Sequence, residues 1–224
     1  MMPILVLWGV EIHAALAANR AAQLAGSFVR VGVFYRQGLL DQKGLTPLVL
    51  VVSVGAGLGA WAETRVSAAV LENLLVLALL FSLGLLLYGR KRMVRETSVK
   101  RPVKAWHLVV FTILGAWAGF MGAEAGTFFI LAATFILGVP LPGSLAIKAA
   151  VMLAANLTIT LFFALTPLGL LRLDLVLPLA FGVSVGGWLG ARLVCLPKAK
   201  VWCYRFILCT MVGELLMLGW REYA

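Results

Sequence analysis

The sequence predicts an all-α fold: a polytopic transmembrane helical protein built from two inverted repeats, with broken or re-entrant helices. Three observations carry that expectation. Hydrophobic residues make up 62% of the chain and charged residues only 12%, with a mean hydropathy of +1.03, whereas ordinary soluble domains carry about twice that charge. The stretch SVGAGLGA at residues 53–60 returns as SVGGWLGA at 184–191. The basic residues gather in a few segments between apolar runs, as they do where charge sets membrane orientation.

The apolar runs at residues 45–62, 69–88, 144–166, 174–194 and 202–220 are each about long enough to cross a bilayer as a helix. They are unbroken rather than alternating and rich in Leu and Ala, so barrel strands are excluded. In lipid a helix satisfies its backbone within its own segment. No cleavable signal pattern and no soluble domain are expected.

The internal echo extends well beyond eight residues. At an offset of 131, Leu39-Leu40 match Leu170-Leu171, Pro47-Leu48 match Pro178-Leu179, and Val52 to Gly55 match Val183 to Gly186. Upstream the offset is 129: Gly9-Val10 match Gly138-Val139, Leu16-Ala17 match Leu145-Ala146, and Phe34 matches Phe163. A two-residue insertion in the second copy accounts for the change. A fixed offset of this length indicates a duplicated multi-helix unit, not a solenoid of short repeats.

Residues 106–140 differ from the other runs. They are too long for one span and short for two, and Gly115, Gly119, Gly122 and Gly126 lie in the middle with Glu124 among them. The reading is two hydrophobic arms joined by a break, which a membrane tolerates where the break lines a protein-enclosed cavity. The alternative is a tight external turn that leaves Glu124 in water or headgroups.

Charge then orients the copies. The linker at 90–104 holds seven basic residues against Glu96 alone and is expected in the cytoplasm, touching anionic lipid. Because the basic residues flank spans, no nucleic acid partner is expected. The divisions are therefore 1–89, a first repeat incomplete at its N-terminus; 90–104, the basic linker; and 105–224, the second repeat. The turn at 63–65 is neutral and reads as external, while its counterpart at 195–201 is basic and reads as internal. The copies thus run in opposite senses. The protein is placed in the cell inner (plasma) membrane, with its N-terminus and linker cytoplasmic and its C-terminus outside. Inverted copies are an arrangement of secondary transporters, whose substrate lies between them near the midplane.

Charges inside a membrane are disfavoured by roughly 2.5–3.5 kcal/mol on insertion scales, so they tend to be functional. The candidate substrate-binding residues are Lys148, Glu124, Asn19 and Arg20, the break glycines Gly122 and Gly126, and mid-helix Asn156. Asn19 aligns with Lys148 at the offset of 129, both near the start of equivalent helices, where free amides and the dipole suit an anion. Lys148 and Arg20 could instead snorkel to the surface. Glu124 could neutralise Lys148 or carry a proton. Asn156, Thr158 and Thr160 could line a path or bond helices together. His13 and His107 fit the interface better than catalysis. Cys195, Cys203 and Cys209 lack zinc spacing, so no metal and no cofactor are expected. The paired histidines and carboxylates of a membrane enzyme are not offered either.

The stretches GAEAGTFFILAATFILGVPLPGSLAIKAA and VSVGGWLGARLV resemble the break, arm and glycine-rich span of the TauE/SafE family of sulfite exporters and organosulfonate permeases. GVEIHAALAANRAAQLAGSFVRVGVFYRQGLLD resembles the matching part of the family's first repeat, with its opening helix lacking. Ala123, Glu124 and Ala125 stand where the family favours glycines, and Lys148 stands where a small polar residue is usual. The resemblance implies transport of small sulfur-containing anions by alternating access. The lacking arm implies a second reading, a non-transporting subunit or assembly factor, with a homodimer or a partner subunit completing the site.

Overall fold

A computed structural model of the chain describes residues 9–10, 12–40, 42–94, 102–122, 125–166, 173–194, 196, 205, 208–210 and 212–213. The helices are α1 (Ile12–Arg36), α2 (Gln42–Glu63), α3 (Ala68–Val94), α4 (Ala105–Phe120), α5 (Ala125–Phe135), α6 (Leu141–Leu165) and α7 (Leu173–Leu193). No strand occurs among the described residues. Gly44–Glu63, Leu141–Leu165 and Leu173–Leu193 are long and apolar enough to cross a membrane. The fold is that of an all-α polytopic membrane protein. Glu124, the centre of the basic linker and most of the run at 202–220 lie outside the described residues. Helix α3 continues past its apolar run through Arg90, Lys91 and Arg92, since Arg and Lys sustain a helix as well as Leu does.

The offset of 129 seen in the sequence also separates two helices. Helices α1 and α6 are both 25 residues long, and their bounds differ by 129 at each end. The turn glycines ahead of them, Gly9 and Gly138, have φ of 79° and 67°, a left-handed conformation that favours glycine. Pro47 and Pro178 are each the sixth residue of their helices, α2 and α7, where each removes one hydrogen bond of the ladder. Helix α1 lies against α6 and α7, and α2 lies against α4 and α6.

The α2–α4 contact explains the glycine run. A Cβ at Gly55 would collide with the backbone of Thr112 and Ala116, one at Gly59 with that of Ala116 and Phe120, and one at Gly115 would stand 2.6 Å from Val52 O. Small residues let membrane helices approach this closely, and van der Waals contact then holds them together. Around this seam Val52, Ala56, Ala60, Phe111 and Ala118 pack with Phe129, Val151, Ile159 and Phe163 into the main apolar core.

The expected break is present. Helix α4 ends at Phe120, and Met121 N donates to Trp117 O at 2.8 Å. Gly122 turns the chain with φ +68°, and α5 starts at Ala125. The arms have 16 and 11 residues, about 24 and 17 Å at 1.5 Å per residue, so neither crosses a hydrocarbon core of about 30 Å alone. Beyond α5, Ser144 Oγ donates to Val139 O at 3.0 Å and pairs with Thr134 Oγ1 at 2.9 Å, tying the second arm to α6. His107 is 2% exposed, and its Nδ1 accepts the Lys104 N–H at 2.9 Å to cap α4.

Candidate functional site

Helix α1 begins with buried alanines, Ala14, Ala15, Ala17 and Ala18, which let it sink among its neighbours. His13 and Arg20 are seven residues apart and so share one face. That face meets the end of α2. Arg20 is 2% exposed and Glu63 is fully buried. His13 Nδ1 lies 2.6 Å from Glu63 Oε1, and Arg20 Nη1 lies 3.9 Å from Glu63 Oε2. A buried charge is tolerated when paired, and these two charges have opposite sign.

The guanidinium is also held at the break. Arg20 Nη2 donates to Phe120 O at 3.1 Å. Phe120 is the last residue of α4, so this carbonyl has no partner within its helix and sits at the negative end of the dipole. A Cβ at Gly122 would stand 3.0 Å from Arg20 Nε, which gives the glycine a steric as well as a conformational reason. The Phe163 ring lies 5.6 Å from Arg20 Cζ, within reach of a cation–π contact. Even so, Arg20 Nε and Nη1 and Glu63 Oε2 have no hydrogen-bond partner. The guanidinium thus keeps donors that no group among the described residues takes.

Lys148 occupies the other side of the break. It is half-buried on α6, and a Cβ at Gly126 would stand 2.7 Å from its Cε and 3.2 Å from its Nζ. Thus each break glycine, Gly122 and Gly126, has a cation against it. Asn156 is 2% exposed and its Nδ2 has no partner. Thr160 Oγ1 is also unpartnered, and Asn156, Thr160 and Phe163 share one face of α6 by their spacing. Asn19 is half-buried with Oδ1 unpartnered. The geometry therefore joins Arg20 to Gly122 and Lys148 to Gly126, while Glu124 lies outside the described residues. Among the described residues no three His, Cys, Asp or Glu side chains gather as metal ligands would.

Glu63 and His13 are the functional candidates that sequence reasoning missed. Glu63 read as part of a neutral external turn, but it is the last residue of α2 and buried. The available signal was a carboxylate closing an apolar, glycine-rich span.

The family model described as Sulfite exporter TauE/SafE matches residues 1–216. The chain belongs to the TauE/SafE family. No curated protein and no solved structure matches it. Membership makes it a membrane transporter of the sulfite-exporter type.

Proposed function

We propose that this TauE/SafE chain is a permease for small sulfur oxyanions, sulfite or an organosulfonate, held between Arg20 and Lys148 at the Gly122–Gly126 break. The observation that carries this reading is the Arg20 guanidinium, 2% exposed yet with Nε and Nη1 unbonded. A tetrahedral or pyramidal oxyanion presents two oxygens to one guanidinium, and a second cation offsets the loss of its hydration. Asn19 and Asn156 supply further polar atoms to the same path.

Because Arg20 is sealed from solvent, an anion reaches it after a rearrangement. The two copies, residues 1–89 and 105–224, are the natural moving units if they are inverted, which is the basis of alternating access. In this reading the linker faces the cytoplasm against anionic lipid of the plasma membrane, the C-terminus is outside, and the chain does no covalent chemistry. Counterflow of labelled sulfite in proteoliposomes tests the reading. Unlabelled methanesulfonate and sulfite should compete, and a neutral amide should not. If no anion moves, a subunit or assembly role takes over.

A further inference from the structure

We propose that Arg30, with Gln23 and Ser27, forms a second anion station on α1, which a small oxyanion occupies on its way to or from Arg20; this rests on the anion reading above. Arg20, Gln23, Ser27 and Arg30 follow one another at intervals of three, four and three residues. In a helix these positions fall within an arc of about 80° and over a rise of about 15 Å, so they line one face of α1. Arg20 and Ser27 are buried, whereas Gln23 and Arg30 are half-buried.

Arg30 is folded back along this face. Its Nη2 donates to Ser27 Oγ at 2.9 Å and to Gln23 Oε1 at 3.1 Å. An arginine snorkelling from this position would extend towards the last turn of α1, at Arg36. Arg30 instead bonds to residues one and two turns back, in the direction of Arg20. Gly187 of α7 makes room for its stem, since a Cβ there would stand 3.2 Å from Arg30 Cγ.

This seat is made of neutral acceptors. Among the described residues no carboxylate pairs with Arg30, and its Nε is buried without a hydrogen-bond partner. Arg20 differs, because Glu63 approaches it to 3.9 Å. An arginine does not give up its proton in a protein, so the charge at Arg30 persists and attracts an anion in a setting of low dielectric. The free Nε–H offers that anion a charge-assisted hydrogen bond. Ser27 and Gln23 then continue the polar face from Arg30 to Arg20.

Two variants test the station. Gln23→Glu keeps the shape of the side chain and gives Arg30 an internal countercharge, so the fold should hold. Arg30→Gln removes the charge itself. In proteoliposomes each should carry labelled sulfite about tenfold or more slowly than the wild type, the size by which a focused field raises local anion concentration. In the purified full chain, sulfite should still raise the melting temperature of both, because Arg20 keeps its own surroundings. Wild-type flux in Gln23→Glu overturns the station, since an arginine that only ties helices together is served as well by a carboxylate. Loss of the sulfite-dependent melting shift in Gln23→Glu also overturns it, by merging Arg30 into the site at Arg20. If Arg30→Gln does not fold, Gln23→Glu decides alone. A wild type that neither moves sulfite nor melts higher in its presence removes the anion reading itself, and the station with it.

Discussion

Gly122 and Arg20 touch: a Cβ on the glycine would stand 3.0 Å from the arginine Nε, and the glycine holds φ at +68°. Gly122→Ala meets both constraints at once. The left-handed conformation costs about 1–2 kcal/mol for an L side chain, and the methyl group pushes the guanidinium off the Phe120 carbonyl. Sulfite flux in proteoliposomes should fall about tenfold or more, as a loss near 1.4 kcal/mol implies, with membrane insertion intact. Flux equal to the wild type would show that Arg20 does not need this seat.

The seam between α2 and α4 yields a paired prediction. Gly59 packs against the α4 backbone, while its counterpart at the offset of 131, Gly190, has nothing within 4 Å of a Cβ. Gly59→Ala should destabilise the fold by about 1–3 kcal/mol through overpacking. Gly190→Ala should be neutral or stabilise by up to about 1 kcal/mol, through helix propensity. Thermal unfolding in detergent compares the two, and equal melting shifts would contradict the packing.

Much of this was legible in the sequence, for reasons that differ by element. The offset of 129 was readable in the sequence, and α1 and α6 share both helix length and a preceding glycine turn at that offset. The break was readable from the length of the stretch and from Gly122 beside Glu124, whereas Gly115 and Gly119 lie inside α4 and Gly126 inside α5. Glu63 was not, since Thr64 and Arg65 follow it and local pattern makes that a solvated turn. Its burial comes from His13 and Arg20, 50 and 43 positions away, and periodicity carries no information about such contacts. The contact of Lys148 with Gly126, 22 positions away, is likewise one that sequence spacing does not show.

Glu63→Gln keeps the shape of the side chain and removes its charge. Arg20 then loses its carboxylate in a buried setting, and breaking such a pair typically costs about 3–5 kcal/mol. The variant should melt well below the wild type without anion. Added sulfite should raise its melting temperature more than that of the wild type, because no other carboxylate pairs with the guanidinium among the described residues. A variant that melts like the wild type would show that the 3.9 Å approach of Arg20 to Glu63 is not an energetic partnership.

Lys148→Ala should leave expression intact, since it removes a charge that lipid disfavours, and should reduce sulfite flux steeply. Lys148→Arg should retain part of it, keeping the charge while changing its shape. Wild-type flux in Lys148→Ala would make the lysine a snorkelling side chain.

The central claim is that the anion binds on Arg20, and uptake of labelled sulfite by proteoliposomes holding an Arg20→Met/Glu63→Gln variant tests it most directly. Removing both charges together avoids leaving either one buried alone, so the fold should survive, and a melting curve confirms that it has. The account predicts uptake no greater than that of empty liposomes, against clear accumulation by the wild type. Uptake at the wild-type rate by the folded variant would contradict it and place the anion elsewhere.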